Sequence, residues 1–305
     1  MPTSRSNRPT VLITIGDPAG IGPEVVVKAL AKINKIPSGA VNFLVIGDKS
    51  IVDKTSLDMK LRLAAPIRDL SNVSPLAYID KALELLKRGE AQALVTGPVS
   101  KSVIRSSGAA NFTGHTEYLA LKTRTKDFAM MFVGESLRVT LVTRHIALKS
   151  VPSSISADAV YRAIALTHKY LKRYFAISSP RIGVAGINPH AGEGGLFGGE
   201  EARFIIPAIR KASRRMAGIT GPIPADIIFR EALNEKFDAV IAMYHDQGLA
   251  PFKTLYFNRG VNLTLGLPFI RTSPDHGTAF DIAGKGKADP SSMIEAIKLG
   301  SLLAK

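Results

Sequence analysis

Val11-Leu12-Ile13-Thr14-Ile15-Gly16-Asp17-Pro18-Ala19-Gly20-Ile21-Gly22-Pro23-Glu24 is the stretch from which the fold can be read. A short apolar run ends in a glycine-rich turn, and the turn opens a helix with proline at its first position. Strand, tight turn and helix in that order begin a parallel α/β sheet. The alternation continues along the chain. Runs 42–46 and 93–96 are expected strands, and 23–31, 79–88, 156–173 and 200–213 carry helical spacing of apolar residues. Gly89 fits the position just past a helix end. No internal repeat or low-complexity linker interrupts this pattern. The expected fold class is therefore α/β, with mostly parallel strands covered by helices.

Three more apolar runs, 138–142, 182–187 and 239–243, each lead into a histidine: His145, His190 and His245. A parallel sheet gathers the carboxyl ends of its strands on one edge, where α/β proteins bind ligands. Three neutral imidazoles at that edge would hold a divalent metal and leave positions open for substrate. Zinc, cobalt, manganese and magnesium all suit that description. The chain has six histidines, so placing three of them this way is informative. His168, in a helical stretch among Lys and Arg, reads as an ordinary surface or packing residue.

Composition narrows the partners. The formal net charge is +15, but the cations are scattered beside apolar residues along helical stretches. No aromatic-basic interleaving or nucleic-acid motif appears, so neither nucleic acid nor membrane is an expected partner. No apolar run is long enough to span a bilayer. Residues 1–9 are polar, lack the apolar core of a secretory signal and are expected to fray. Cysteine is absent, which excludes a disulfide framework, a thiolate metal site and a cysteine nucleophile. The expected compartment is the cytoplasm.

Several other segments admit two readings. The turn at 16–24 is either an anion cradle at a helix N-terminus or a plain strand–helix turn. It is neither the dinucleotide fingerprint nor a Walker loop. Stretch 192–199 holds five glycines in eight residues and reads as a lid or as simple flexibility. Lys253, Asn262 and Arg271 are expected in loops or at strand ends. Lys253 and Arg271 could grip a phosphate, or be ordinary surface charge. Gly114-His115-Thr116-Glu117 looks like a helix start at which His115 and Thr116 meet a ligand or merely cap.

The most specific string is Asp275-His276-Gly277-Thr278-Ala279-Phe280-Asp281-Ile282-Ala283-Gly284-Lys285-Gly286. It resembles the adenosine-binding loop of the isopropylmalate and isocitrate dehydrogenases, which bind their nicotinamide cofactor without the usual fingerprint. Segments 16–24, 96–101, 113–117, 188–195, 244–248 and 260–277 together resemble one member family, the 4-hydroxythreonine-4-phosphate dehydrogenases of pyridoxal-phosphate biosynthesis. The likeness runs through essentially the whole chain. Segment 48–75 is shorter than in many members, and Phe280-Asp281 replaces a Leu-Glu pair of some relatives.

The resemblance implies two α/β/α domains with a cleft between them, 1–125 with 268–305 and 126–267. It implies a homodimer whose metal sites are shared between subunits, with His145 and His190 from one and His245 from the other. His115, Thr116, Lys253, Asn262 and Arg271 become substrate-binding residues, and His276, Gly277 and Asp281 cofactor-binding ones. An acidic residue at 281 favours NAD over NADP. The implied reaction is NAD-dependent oxidation and decarboxylation of 4-phosphooxy-L-threonine, a small phosphorylated substrate, to 3-amino-2-oxopropyl phosphate. Look-alikes act instead on threonate or erythronate 4-phosphate or a cis-dihydrodiol dicarboxylate. Asp226 is the candidate proton carrier and Asp246 the runner-up, either of which could instead orient a ligand histidine. A metal-dependent hydrolase or aldolase would not need the adenosine loop; a non-catalytic basic binding protein is the other alternative, which absorbance at 340 nm with NAD, metal and phosphorylated alcohols would separate.

Overall fold

The computed structural model describes residues 8–33, 41–63 and 65–305. The polar opening expected to fray lies, as far as residue 7, outside them. The chain divides into two compact units, Met1–Lys122 with Pro268–Lys305, and Thr123–Leu267.

The first unit opens with β1 (Thr10–Thr14), α1 (Gly22–Ile33), β2 (Asn42–Gly47), α2 (Lys49–Asp58), β3 (Ile67–Asp69), α3 (Pro75–Lys87), β4 (Ala93–Thr96), α4 (Lys101–Ser106) and α5 (His115–Lys122). The second contains β5 (Ala129–Val133), β6 (Arg138–Leu141), α6 (Val151–Ser154), α7 (Ala157–Tyr174), β7 (Ile182–Ala185), α8 (Ile206–Ser213), β8 (Ile219–Ile223), α9 (Ala225–Leu233), β9 (Ala239–Ala242), α10 (His245–Tyr256) and β10 (Val261–Leu265). The chain then returns to the first unit as β11 (Ile270–Pro274) and α11 (Ser291–Leu303).

In the first unit the strands lie in the order β3-β2-β1-β4-β11, all parallel. Local chemistry sets the helix ends. Ser74 caps α3 by accepting from the Leu76 amide, and Gly89 takes a φ of 71° just past its end. Gly16 turns the chain out of β1 with a φ of 77°, and a Cβ there would meet the Pro98 carbonyl at 2.3 Å. Several amides of this turn are already bound. Asp17 donates to the Pro98 carbonyl (2.8 Å), Gly20 to that of Asp17 (3.0 Å) and Ile21 to that of Thr278 (2.9 Å). The structure thus shows a tight strand–helix turn that holds Thr278.

In the second unit the order is β10-β5-β6-β9-β7-β8. Strand β5 runs antiparallel to both β10 and β6, while β6, β9, β7 and β8 run parallel. Strand β9 shows why its sequence is apolar throughout. Ala239 and Ile241 pack with residues of α7 and α8, whereas Val240 and Ala242 pack with residues of α9 and α10. A parallel strand covered on both faces has no polar side to show.

The segment expected as one helix at 200–213 begins as a wider π-turn at Glu201–Ile205 and becomes α-helical only from Ile206. Lys253, expected in a loop or at a strand end, lies inside α10. Pro251 removes one helical hydrogen bond, which is why the segment reads as a break. Leu249 and Phe252 are buried in the core and keep it helical. Asn262 and Arg271 are the second residues of β10 and β11.

Candidate functional site

In the first unit a cluster of polar side chains surrounds the buried Arg271. Its side chain is 3% exposed, with Nη2 donating to Thr96 Oγ1 (2.6 Å) and Nη1 to Thr116 Oγ1 (3.4 Å). Burial pushes the guanidinium down to about 10, opposed by Glu117. His115 opens α5 beside it. Burial, Arg271 and Lys101 hold its imidazole well below the ordinary value, so it is neutral at pH 7. Among the described residues His115 Nε2 meets no hydrogen-bond partner. A buried cation, a neutral imidazole with a ring nitrogen to spare and two hydroxyls suit an anionic, hydroxylated ligand. Thr96 and Lys101, both in the string at 96–101, belong to this group. The sequence singled out the string but not these two side chains.

The 275–286 loop is fixed at both ends within the same unit. The Asp275 amide donates to Ser292 Oγ (3.0 Å) and the Thr278 carbonyl accepts from Ile21. Lys28 Nζ reaches the carbonyls of Gly286 and Ala288 (2.8 Å each), and buried Glu24 accepts from both Lys28 (2.7 Å) and the Ala288 amide (2.8 Å). Between these ties His276 is half-buried, while Gly277 and Asp281 are exposed. Asp281 is therefore presented to solvent on an anchored loop.

In the second unit the strand ends carry the histidines. The His145 and His245 rings lie 5.2 Å apart, centroid to centroid. They meet because β6 and β9 are parallel neighbours and the pairing continues to Thr143, whose amide donates to the Met243 carbonyl (3.1 Å). Asp246 Oδ1 sits 2.8 Å from His245 Nδ1, which leaves Nε2 free to point elsewhere. A carboxylate on the far nitrogen is the arrangement that orients a metal-binding histidine. Two imidazoles so placed fit a divalent cation as part of its ligand set. Among the described residues no three His, Cys, Asp or Glu side chains of this chain form a group that could hold a metal ion. The resemblance implied His145 and His190 from one subunit and His245 from the other; within this chain the rings in contact are those of His145 and His245.

His190 lies on a turn of unusual backbone. His190, Ala191, Gly192, Glu193 and Gly194 all have positive φ, between 42° and 83°. The turn's residues 188 and 187 are held by Glu201, a buried carboxylate that the sequence did not single out. Exposed Asp226 is in the first turn of α9, which packs against the same turn. No helix among the described residues is long and apolar enough to cross a membrane.

The chain is thus an α/β protein with two histidines at adjacent parallel strand ends and a buried arginine bonded to two threonines. Comparison makes this specific. The model of the family described as "Pyridoxal phosphate biosynthetic protein PdxA" matches residues 16–300, and the chain belongs to that family. A 4-hydroxythreonine-4-phosphate dehydrogenase of Desulfosudis oleivorans is 45% identical, over 96% of this chain and 95% of its own. A D-threonate 4-phosphate dehydrogenase of Salmonella typhimurium is 43% identical, over 97% and 99%. The crystal structure of a 4-hydroxythreonine-4-phosphate dehydrogenase from Klebsiella pneumoniae superposes with a TM-score of 0.86 at 35% identity, over 97% of this chain and all of that one.

Proposed function

We propose that the protein is a cytoplasmic, NAD-dependent 4-hydroxythreonine-4-phosphate dehydrogenase. The observation that carries this reading is the buried Arg271, with Thr96 and Thr116 on its fork, in a chain 45% identical to an enzyme of that name. The C3 hydrogen of 4-phosphooxy-L-threonine leaves as hydride and the hydroxyl proton is released. The resulting 3-oxo acid loses its carboxylate as carbon dioxide, and C2 takes up a proton to give 3-amino-2-oxopropyl phosphate.

When bound, NAD would supply the hydride acceptor and a divalent cation would supply Lewis-acid chemistry. The chain's own residues bind and orient. Arg271 and Lys253 neutralise the phosphate dianion, and the hydroxyls of Thr96 and Thr116 fix the guanidinium plane. Neutral His115 offers a hydrogen bond without adding charge, and Asn262 completes the polar contacts. His145 and His245 would hold the cation, with Asp246 orienting His245. Asp281 accepts from the adenosine ribose, beside His276 and Gly277. Asp226 carries the proton. The protein acts as a homodimer, and the partner's His190 completes the ligand set of each His145–His245 pair.

The test is the appearance of absorbance at 340 nm with NAD, a divalent cation and 4-phosphooxy-L-threonine. The reading requires that a strong chelator abolish the signal and that restored cation return it. Turnover that persists in chelator would remove the metal from the account.

A further inference from the structure

Three strand ends lead to the three histidines, and one set of buried and part-buried hydrogen bonds ties them together. Thr143, two residues before His145, donates through its amide (3.1 Å) and its hydroxyl (2.7 Å) to the Met243 carbonyl. Met243, two residues before His245, donates through its amide to Gln247 Oε1 (2.7 Å). The other end of that side chain, Gln247 Nε2, donates to the Gly186 carbonyl (2.7 Å), just past β7. The next two amides, of Ile187 and Asn188, donate to Glu201 Oε1 (2.9 and 2.8 Å), and Asn188 Nδ2 donates to Glu201 Oε2 (3.0 Å). Asn188 is two residues before His190.

Gln247 is 9% exposed and Glu201 4%, so neither amide nor carboxylate is spent on solvent. Both are costly to bury without partners, and each has them. Space around Glu201 is closely fitted. A Cβ at Gly186 would come within 3.2 Å of Glu201 Oε1, and one at Gly192 within 2.7 Å of Oε2. The positive φ of His190, Ala191 and Glu193 is unfavourable for residues with a Cβ. Such backbone persists only where neighbours over-determine it. Glu201 supplies that restraint on one side of Gly186, and Gln247 supplies it on the other.

We infer that Gln247 and Glu201 are positioning residues that set the three histidines for metal binding, Gln247 by joining the His145–His245 strand ends to the His190 turn and Glu201 by holding that turn. The inference rests on the reading of these histidines as metal ligands. Neither residue touches the substrate or the cation; each acts through the backbone that carries the imidazoles.

The experiment titrates cobalt(II) chloride into the full-length metal-free protein without substrate. It reads the visible absorption of bound cobalt and the Kd by competition with a chromophoric chelator. Thermal melting and circular dichroism establish that each variant is folded at the titration temperature. Native protein binds cobalt and His145→Ala does not. Gln247→Met keeps the side-chain volume but strips partners from the Met243 amide and the Gly186 carbonyl. It weakens cobalt binding about 10- to 100-fold and alters the absorption bands. Glu201→Gln retains an acceptor for the two amides and loses less than Glu201→Leu.

Folded Gln247→Met with native cobalt affinity and spectrum overturns the inference while leaving the histidine ligands in place. If that variant does not fold, the Glu201 pair decides, and equal native affinity in Glu201→Gln and Glu201→Leu overturns it. Should native protein take up no cobalt, or His145→Ala bind as well as native, the metal reading itself fails and the inference falls with it.

Discussion

His145 and His245 face each other at 5.2 Å because Leu141 and Ala242 are register partners on parallel neighbours β6 and β9. Each ring extends from the same edge of the sheet a few residues further on. The pair is therefore a product of strand order, and the proposed shared site takes both of these ligands from one subunit.

Mixed dimers test that assignment. His145→Ala and His190→Ala are each expected to be inactive alone. When subunits exchange, half of the dimers carry one of each, and one of the two sites in such a dimer has only native ligands. About a quarter of native activity should return under two-fold symmetry. A mixture of His145→Ala with His245→Ala should recover nothing, since both lesions fall on the same pair. Recovery in the second mixture and not in the first would contradict the assignment.

Arg271→Ala should lower kcat/KM for the phosphorylated substrate by an amount corresponding to about 2–5 kcal/mol, the usual cost of removing one member of a buried charge pair. Arg271→Lys should recover only part of it, because an ammonium cannot span Thr96 and Thr116 as the guanidinium does. Steady-state kinetics on phosphorylated and unphosphorylated alcohols give the measurement. Unchanged constants in Arg271→Ala would remove Arg271 from the phosphate site.

Burial lowers the His115 pKa in the folded protein below its ordinary value of 6.5. Between the folded value and 6.5 the unfolded chain binds more protons, so His115 takes stability away as pH falls through and below 6.5. Above 6.5 it has no such effect. Replacing it with Asn should therefore shrink the loss of Tm between pH 7 and pH 5 relative to native protein. An identical pH profile in the two proteins would show that His115 is not held neutral.

Asp281 should set cofactor choice by accepting from the ribose hydroxyls and repelling a 2′-phosphate. Native protein should favour NAD in kcat/KM, and Asp281→Ser should narrow the preference mainly through the KM for NADP. A native preference for NADP would count against the role of Asp281.

Periodicity and glycine placement made the strand-end histidines and the α/β class legible. Runs such as 239–243 are apolar throughout because both faces of β9 are covered, and that signal is local. The polar supports were not legible. Gln247 contacts Gly186 across 61 positions and Thr96 meets Arg271 across 175. A buried hydrogen bond between distant residues leaves no local pattern to read. Lys253 was misplaced for a different reason: Gly248 and Pro251 look like helix breakers, yet packing of Leu249 and Phe252 outweighs their propensity. The antiparallel β5 also escaped notice, since a strand's direction is set by its neighbours.

The central claim concerns the substrate, and relatives bearing two substrate names are 45% and 43% identical. The most direct measurement compares kcat/KM for 4-phosphooxy-L-threonine and D-threonate 4-phosphate under identical NAD and cation, with carbon dioxide collected alongside NADH. The account predicts a higher kcat/KM for 4-phosphooxy-L-threonine, with one carbon dioxide released per NADH formed. A higher kcat/KM for D-threonate 4-phosphate, or NADH formed from 4-phosphooxy-L-threonine without carbon dioxide, would contradict it.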